Sequence, residues 1–104
     1  MHARYDARRD AIVVDIAYRG TSAKHSFSVQ WSECDRSSGD VPEVAARLVD
    51  DQGSEPARKD YRVTRRFSVG WLDCRPALVT LRLGRSLASV DVPPRERAKA
   101  RSPR

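Results

Sequence analysis

Five stretches of this chain alternate apolar and polar side chains with a period of two, and that alternation limits the fold more than any other feature. A strand turns successive side chains to opposite faces, so each stretch presents an apolar face that a second layer must cover. In residues 11–18, Ile12, Val14, Ile16 and Tyr18 share one face and Val13, Asp15 and Ala17 the other. In residues 25–31, Phe27, Val29 and Trp31 oppose Ser26, Ser28 and Gln30. Arg19-Gly20-Thr21-Ser22 is a turn signal between them. An antiparallel hairpin through 19–24 would set Ile16 near Phe27, Val14 near Val29 and Ile12 near Trp31, which joins both apolar faces in one core.

Three further strands are expected after residue 60. Tyr61, Val63, Phe67, Val69 and Trp71 share a face of residues 61–72, with Arg65 interrupting it. Val79, Leu81 and Leu83 share a face of 77–83, and Ala88, Val90 and Val92 a face of 87–92. Pro93-Pro94 ends that run because proline cannot donate to a ladder. On this reading Trp31 and Trp71 are both core residues.

Residues 40–51 read differently. Val41, Val44, Ala45, Leu48 and Val49 follow helical spacing. Asp40 can act as N-cap, Pro42 suits the first turn, and Glu43 completes a capping box and pairs with Arg47 one turn on. Gly53 is a plausible stop, and 52–58 a polar linker. The expected fold class is therefore α+β: a mainly antiparallel β-sheet, order ββαβββ, with one helix packed on one face and a disordered basic C-terminal tail. The 104 residues suffice for one domain. Its expected divisions are an arm at 1–10, the domain at 11–92 and an Arg-rich tail at 93–104, which lacks the apolar groups to offset the entropy of ordering.

Charge is unevenly spread. The net of +6 divides into +2 over residues 1–30, −5 over 31–56, +5 over 57–92 and +4 over 93–104. Arginine outnumbers lysine 17 to 3. That bias suits recognition of carboxylate or phosphate by planar forks, and it also matches codon usage in a GC-rich genome. If the loop 72–76 closes a symmetric hairpin, Arg66 and Arg82 face each other on its polar side. Like charges directly opposite are unfavourable unless they splay into water or hold an anion. Arg62, Arg66, Arg82 and Arg85 are thus the candidate anion-binding or partner-binding residues. The expected partner is a protein, or a second copy of the chain, ahead of nucleic acid bound non-specifically by the basic hairpin and tail. No membrane, small-molecule ligand, metal or cofactor is implied.

No catalytic motif is present; the five glycines are scattered and form no phosphate loop. Cys34 and Cys74 are the candidate reactive thiols, with His25 as a conceivable base. They lack zinc-ligand spacing. In a reducing cytoplasm they stay thiols; in an exported chain they could form one disulfide. Residues 1–10 are charged with no apolar run behind them, so the expected compartment is the cytoplasm.

The chain also repeats itself once. Phe27-Ser28-Val29-Gln30-Trp31-Ser32-Glu33-Cys34 echoes Phe67-Ser68-Val69-Gly70-Trp71-Leu72-Asp73-Cys74 at a spacing of 40 residues. A duplication giving equivalent sites is one reading; two core strands with the same aromatic and β-branched requirement is the other.

Overall fold

The computed structural model describes residues 1–20, 26–37, 39–50 and 59–95. Among these residues seven strands follow one another: β1 (His2–Asp6), β2 (Ala11–Gly20), β3 (Phe27–Trp31), β4 (Glu43–Asp50), β5 (Lys59–Ser68), β6 (Ala77–Leu83) and β7 (Ser86–Val92). They form two sheets, β1-β2-β5 and β3-β4-β6-β7. All neighbours are antiparallel except β4 and β6, which run parallel. The α+β expectation is corrected: there is no helix among the described residues.

The segment expected to be helical is β4. Its residues satisfy two periods at once. Helical spacing selects Val41, Val44, Ala45, Leu48 and Val49, whereas alternation selects Val44, Ala46 and Leu48, and these three are the buried ones. Val41 is 47% exposed, so the first position of the helical stripe has no core to face. Asp40 and Glu43 do not form a helix cap. Instead Glu43 exchanges two backbone hydrogen bonds with Asp35, at 2.8 and 2.9 Å, and the Pro42 carbonyl accepts from the Leu78 amide at 2.9 Å. A proline at a strand's entrance sacrifices no ladder bond.

Strand pairing also departs from the sequence reading. β2 pairs with β5, Ile12 opposite Phe67 and Ile16 opposite Val63, rather than with β3. β3 crosses to the other sheet and pairs with β4. The faces were read correctly even so, since Ile12, Val14 and Ile16 are buried and Phe27, Val29 and Trp31 pack against the same core from the opposite layer. β6 and β7 form a hairpin, Val79 opposite Val90 and Leu81 opposite Ala88. Its two-residue loop needs Gly84, whose φ of 59° suits the first central position of a tight hairpin turn. The expected arm contains β1, paired with β2.

The core is continuous between the layers. Ile12, Val14 and Ile16 of one sheet meet Val44, Val79, Leu81 and Val92 of the other, all at most 1% exposed. Arg65, the interruption on β5, sits opposite Val14 with its guanidinium 6.0 Å from the Phe27 ring centroid, so the cation covers an aromatic face at the edge strand.

Candidate functional site

The outer face of the four-stranded sheet follows from the inner one. With Val44, Ala46, Leu48, Val79 and Leu81 buried, alternation turns Arg47 and Arg82 outward, and both are exposed. Register then aligns Gln30, Arg47, Arg82 and Leu87 in one row across β3, β4, β6 and β7. Arg47 and Arg82 are direct neighbours on parallel strands, whose backbones lie about 4.8 Å apart. Arg85 stands in the β6–β7 turn beside them, and Leu87 is 54% exposed at the row's end. The next row is small and polar: Ala45, Thr80 and Ser89, the two hydroxyls 3.4 Å apart. Beyond it Glu43 and Asp91 take outward positions on the same face.

The sequence expectation of an Arg66–Arg82 pair is corrected by this register. Arg66 lies opposite Val13 and Arg62 opposite Ala17, on the outer face of the three-stranded sheet. Arg82 and Arg85 belong to the other sheet, so the four candidates form two sites on opposite sides of the molecule. The true neighbour of Arg82 is Arg47, which sequence reasoning missed by placing it in a helix. Alternation through Val44, Ala46 and Leu48 was the signal that could have found it.

Several other arginines are committed to acids, Arg4 to Asp15 at 3.7 Å, Arg9 to Asp6 at 3.3 Å and Arg19 to Asp60 at 3.1 Å, whereas Arg62 and Arg66 have no ion pair among the described residues. Arg75 is the extreme case, its side chain only 3% exposed. It donates to Asp10 through both terminal nitrogens (3.0 and 2.9 Å), to the Tyr5 hydroxyl at 3.1 Å and, through Nε, to the Pro93 carbonyl at 2.9 Å. The Tyr5 hydroxyl in turn donates to Asp10 at 2.6 Å. Asp10 reaches this position from a left-handed backbone, φ 51°, a conformation that Asp tolerates better than most residues. The hydrogen bonds from Arg75, against the opposing effect of burial, hold the Asp10 carboxyl below its ordinary value of 3.8. Burial and the bond donated to Asp10 raise the Tyr5 phenol above 10.0. Arg47, Arg82 and Arg85 have no such acid among the described residues.

Cys34 and Cys74, the candidate thiols, are joined in a disulfide with Cα atoms 6.5 Å apart, so neither is a free thiol in this form. Closing a loop of 40 residues stabilises the fold by about 4 kcal/mol in the chain-entropy account. His25 lies outside the described residues, as do the 52–58 linker and residues 96–104 of the expected tail. Trp71 is corrected from core to surface. β5 ends at Ser68, and a turn closed by the Leu72 amide on the Val69 carbonyl (3.0 Å) sends Val69 and Leu72 inward and Trp71 outward, 48% exposed. Trp31 is half-buried.

No helix among the described residues is long and apolar enough to cross a membrane. Among the described residues the chain forms seven strands in two sheets, and the outer face of the four-stranded sheet carries the Arg47–Arg82 row together with Glu43 and Asp91 two rows away. No family model matches the sequence, and neither a curated protein nor a solved structure matches it.

Proposed function

We propose that this chain is a non-enzymatic binding module that recognises an acidic protein surface through the outer face of β3-β4-β6-β7. One observation carries the reading: Arg47 and Arg82 are direct cross-strand neighbours, exposed, and without an acid among the described residues. Like charges in that arrangement repel, so the free protein bears an electrostatic cost that a carboxylate seated between the two forks removes. Arg85 extends the site at the turn.

A protein is favoured over nucleic acid by what surrounds the pair. The row ends in exposed Leu87, and arginine beside an apolar side chain is the composition of protein interfaces. The outward positions of the four strands carry no aromatic residue on which a base could stack. The Arg62 and Arg66 face is less suited, because Asp15 lies between them in the register and already holds Arg4.

The test is a thermal melt of the full chain with a glutamate-rich peptide. A saturable rise in midpoint is expected, absent in R47A/R82A at unchanged basal midpoint. If the double variant is stabilised as strongly as the parent, the site is elsewhere. If duplex DNA stabilises the parent and the peptide does not, the partner is a nucleic acid.

A further inference from the structure

Away from the arginine face, the two copies of the octapeptide meet in space. Trp31-Ser32-Glu33-Cys34 and Trp71-Leu72-Asp73-Cys74 each supply an indole, an acid two residues on and then a cysteine. The Cys34–Cys74 bond closes the two copies on one another. The indoles stand at a corner, centroids 4.8 Å apart and planes at 68°. Both tryptophans and both acids line one open hollow of about 410 Å³. Trp71 is exposed yet fixed, since its indole N–H donates to the Ser68 carbonyl at 2.8 Å. The Glu33 carboxylate has no hydrogen bond or ion pair among the described residues, and Asp73 is met there by Arg95 alone, at 3.4 Å. Two indole faces inclined at 68°, with two carboxylates lining the same hollow, are the elements that hold a guanidinium or ammonium group.

We propose that this corner is a cation-binding site and that its ligand is the basic segment 96–104 of the same chain. Arg95, the last described residue, is already at the rim, donating to the Leu72 carbonyl at 2.9 Å as well as to Asp73. The sequence continues with Arg97, Lys99, Arg101 and Arg104, four cations against the single acid Glu96. Tethering so close gives an effective concentration on the order of millimolar, which fills a site too weak to work between molecules. Ionic strength then controls how much of the segment's charge is available to other partners.

The test compares the full chain with its full-length R97Q/K99Q/R101Q/R104Q variant. At low salt, acrylamide quenching of tryptophan should be about twofold weaker in the parent, and the Trp71 indole N–H resonance should differ between the two chains. High salt should bring the parent to the variant. A synthetic 96–104 peptide should restore protection to the variant saturably, less so when Glu33→Gln is added. Equal quenching in the two chains, or a peptide without effect, overturns the site. Protection that grows with protein concentration overturns the same-chain assignment in favour of a second copy. R47A/R82A should leave all of these readings unchanged, so this proposal and the acidic-partner reading fail separately.

Discussion

Arg75 and the Arg47–Arg82 pair show two opposite uses of one side chain. Arg75 is buried, and its donors are spent on Asp10, Tyr5 and Pro93. It ties β1, the β1–β2 turn, the loop before β6 and the chain after β7 into one corner. Arg47 and Arg82 are exposed on the outer face of the four-stranded sheet, with no acid paired to either among the described residues. An arginine whose donors are satisfied internally contributes to the fold; one whose donors are free is available to a ligand. The high arginine content therefore does not point to function by itself. Pairing decides which arginines are open.

The largest expected effect lies at the corner. Arg75→Leu leaves Asp10 without its cation and should cost about 3 kcal/mol in urea unfolding, the low end for a broken buried pair because Asp10 is partly open to water. A loss below about 0.5 kcal/mol would remove the contrast. The tryptophans draw a parallel distinction. Trp31→Ala should cost roughly 3 kcal/mol, since its ring packs against the core, and Trp71→Ala about 1 kcal/mol or less, since it projects from a turn. Equal losses would place Trp71 in the core after all.

Acid sharpens the comparison without mutation. Asp10 is held below 3.8, so its contribution is present above that pH and is lost as pH falls through its folded value. Tyr5, raised above 10.0, contributes below pH 10 and loses that contribution as pH rises beyond it. Asp10→Asn should flatten the acid limb of a stability–pH curve, and Tyr5→Phe the alkaline limb. An acid limb unchanged in Asp10→Asn would assign acid lability to another carboxylate. The smallest effect belongs to the open pair: R47A/R82A should change stability by no more than about 0.5 kcal/mol, or raise it slightly by relieving repulsion.

How far the sequence revealed this molecule depended on the range of the interaction. The inner faces of β2, β3, β6 and β7 follow from local alternation, and Ile12, Val14, Val79, Leu81, Val90 and Val92 are all buried. Partner choice is not local. β2 meets β5 across the whole of β3 and β4, and nothing in residues 11–20 encodes that preference over the nearer Phe27–Trp31 strand. β4 was misread because valine, alanine and leucine at 44–49 fit both periods, and the deciding influence is the Val79–Leu81 strand it lies against. The same error concealed the site, since Arg47 on a helix would have no fixed relation to Arg82. Trp71 was misread because Gly70 belongs to a turn that ends the alternation at Ser68. The octapeptide echo is legible in the sequence; the disulfide that joins its two copies is not, because it depends on the compartment as well as on the residues.

On the proposed reading the outer face of the four-stranded sheet holds an acidic partner and the Arg62–Arg66 face does not. The most direct measurement is the dissociation constant of a glutamate-rich peptide for three full-length chains at low and moderate salt: the parent, R47A/R82A and R62A/R66A. Saturable, salt-sensitive binding is expected in the parent, nearly unchanged in R62A/R66A and weakened by roughly tenfold or more in R47A/R82A, because charge-assisted contacts are removed. Binding retained by R47A/R82A and lost by R62A/R66A would contradict it.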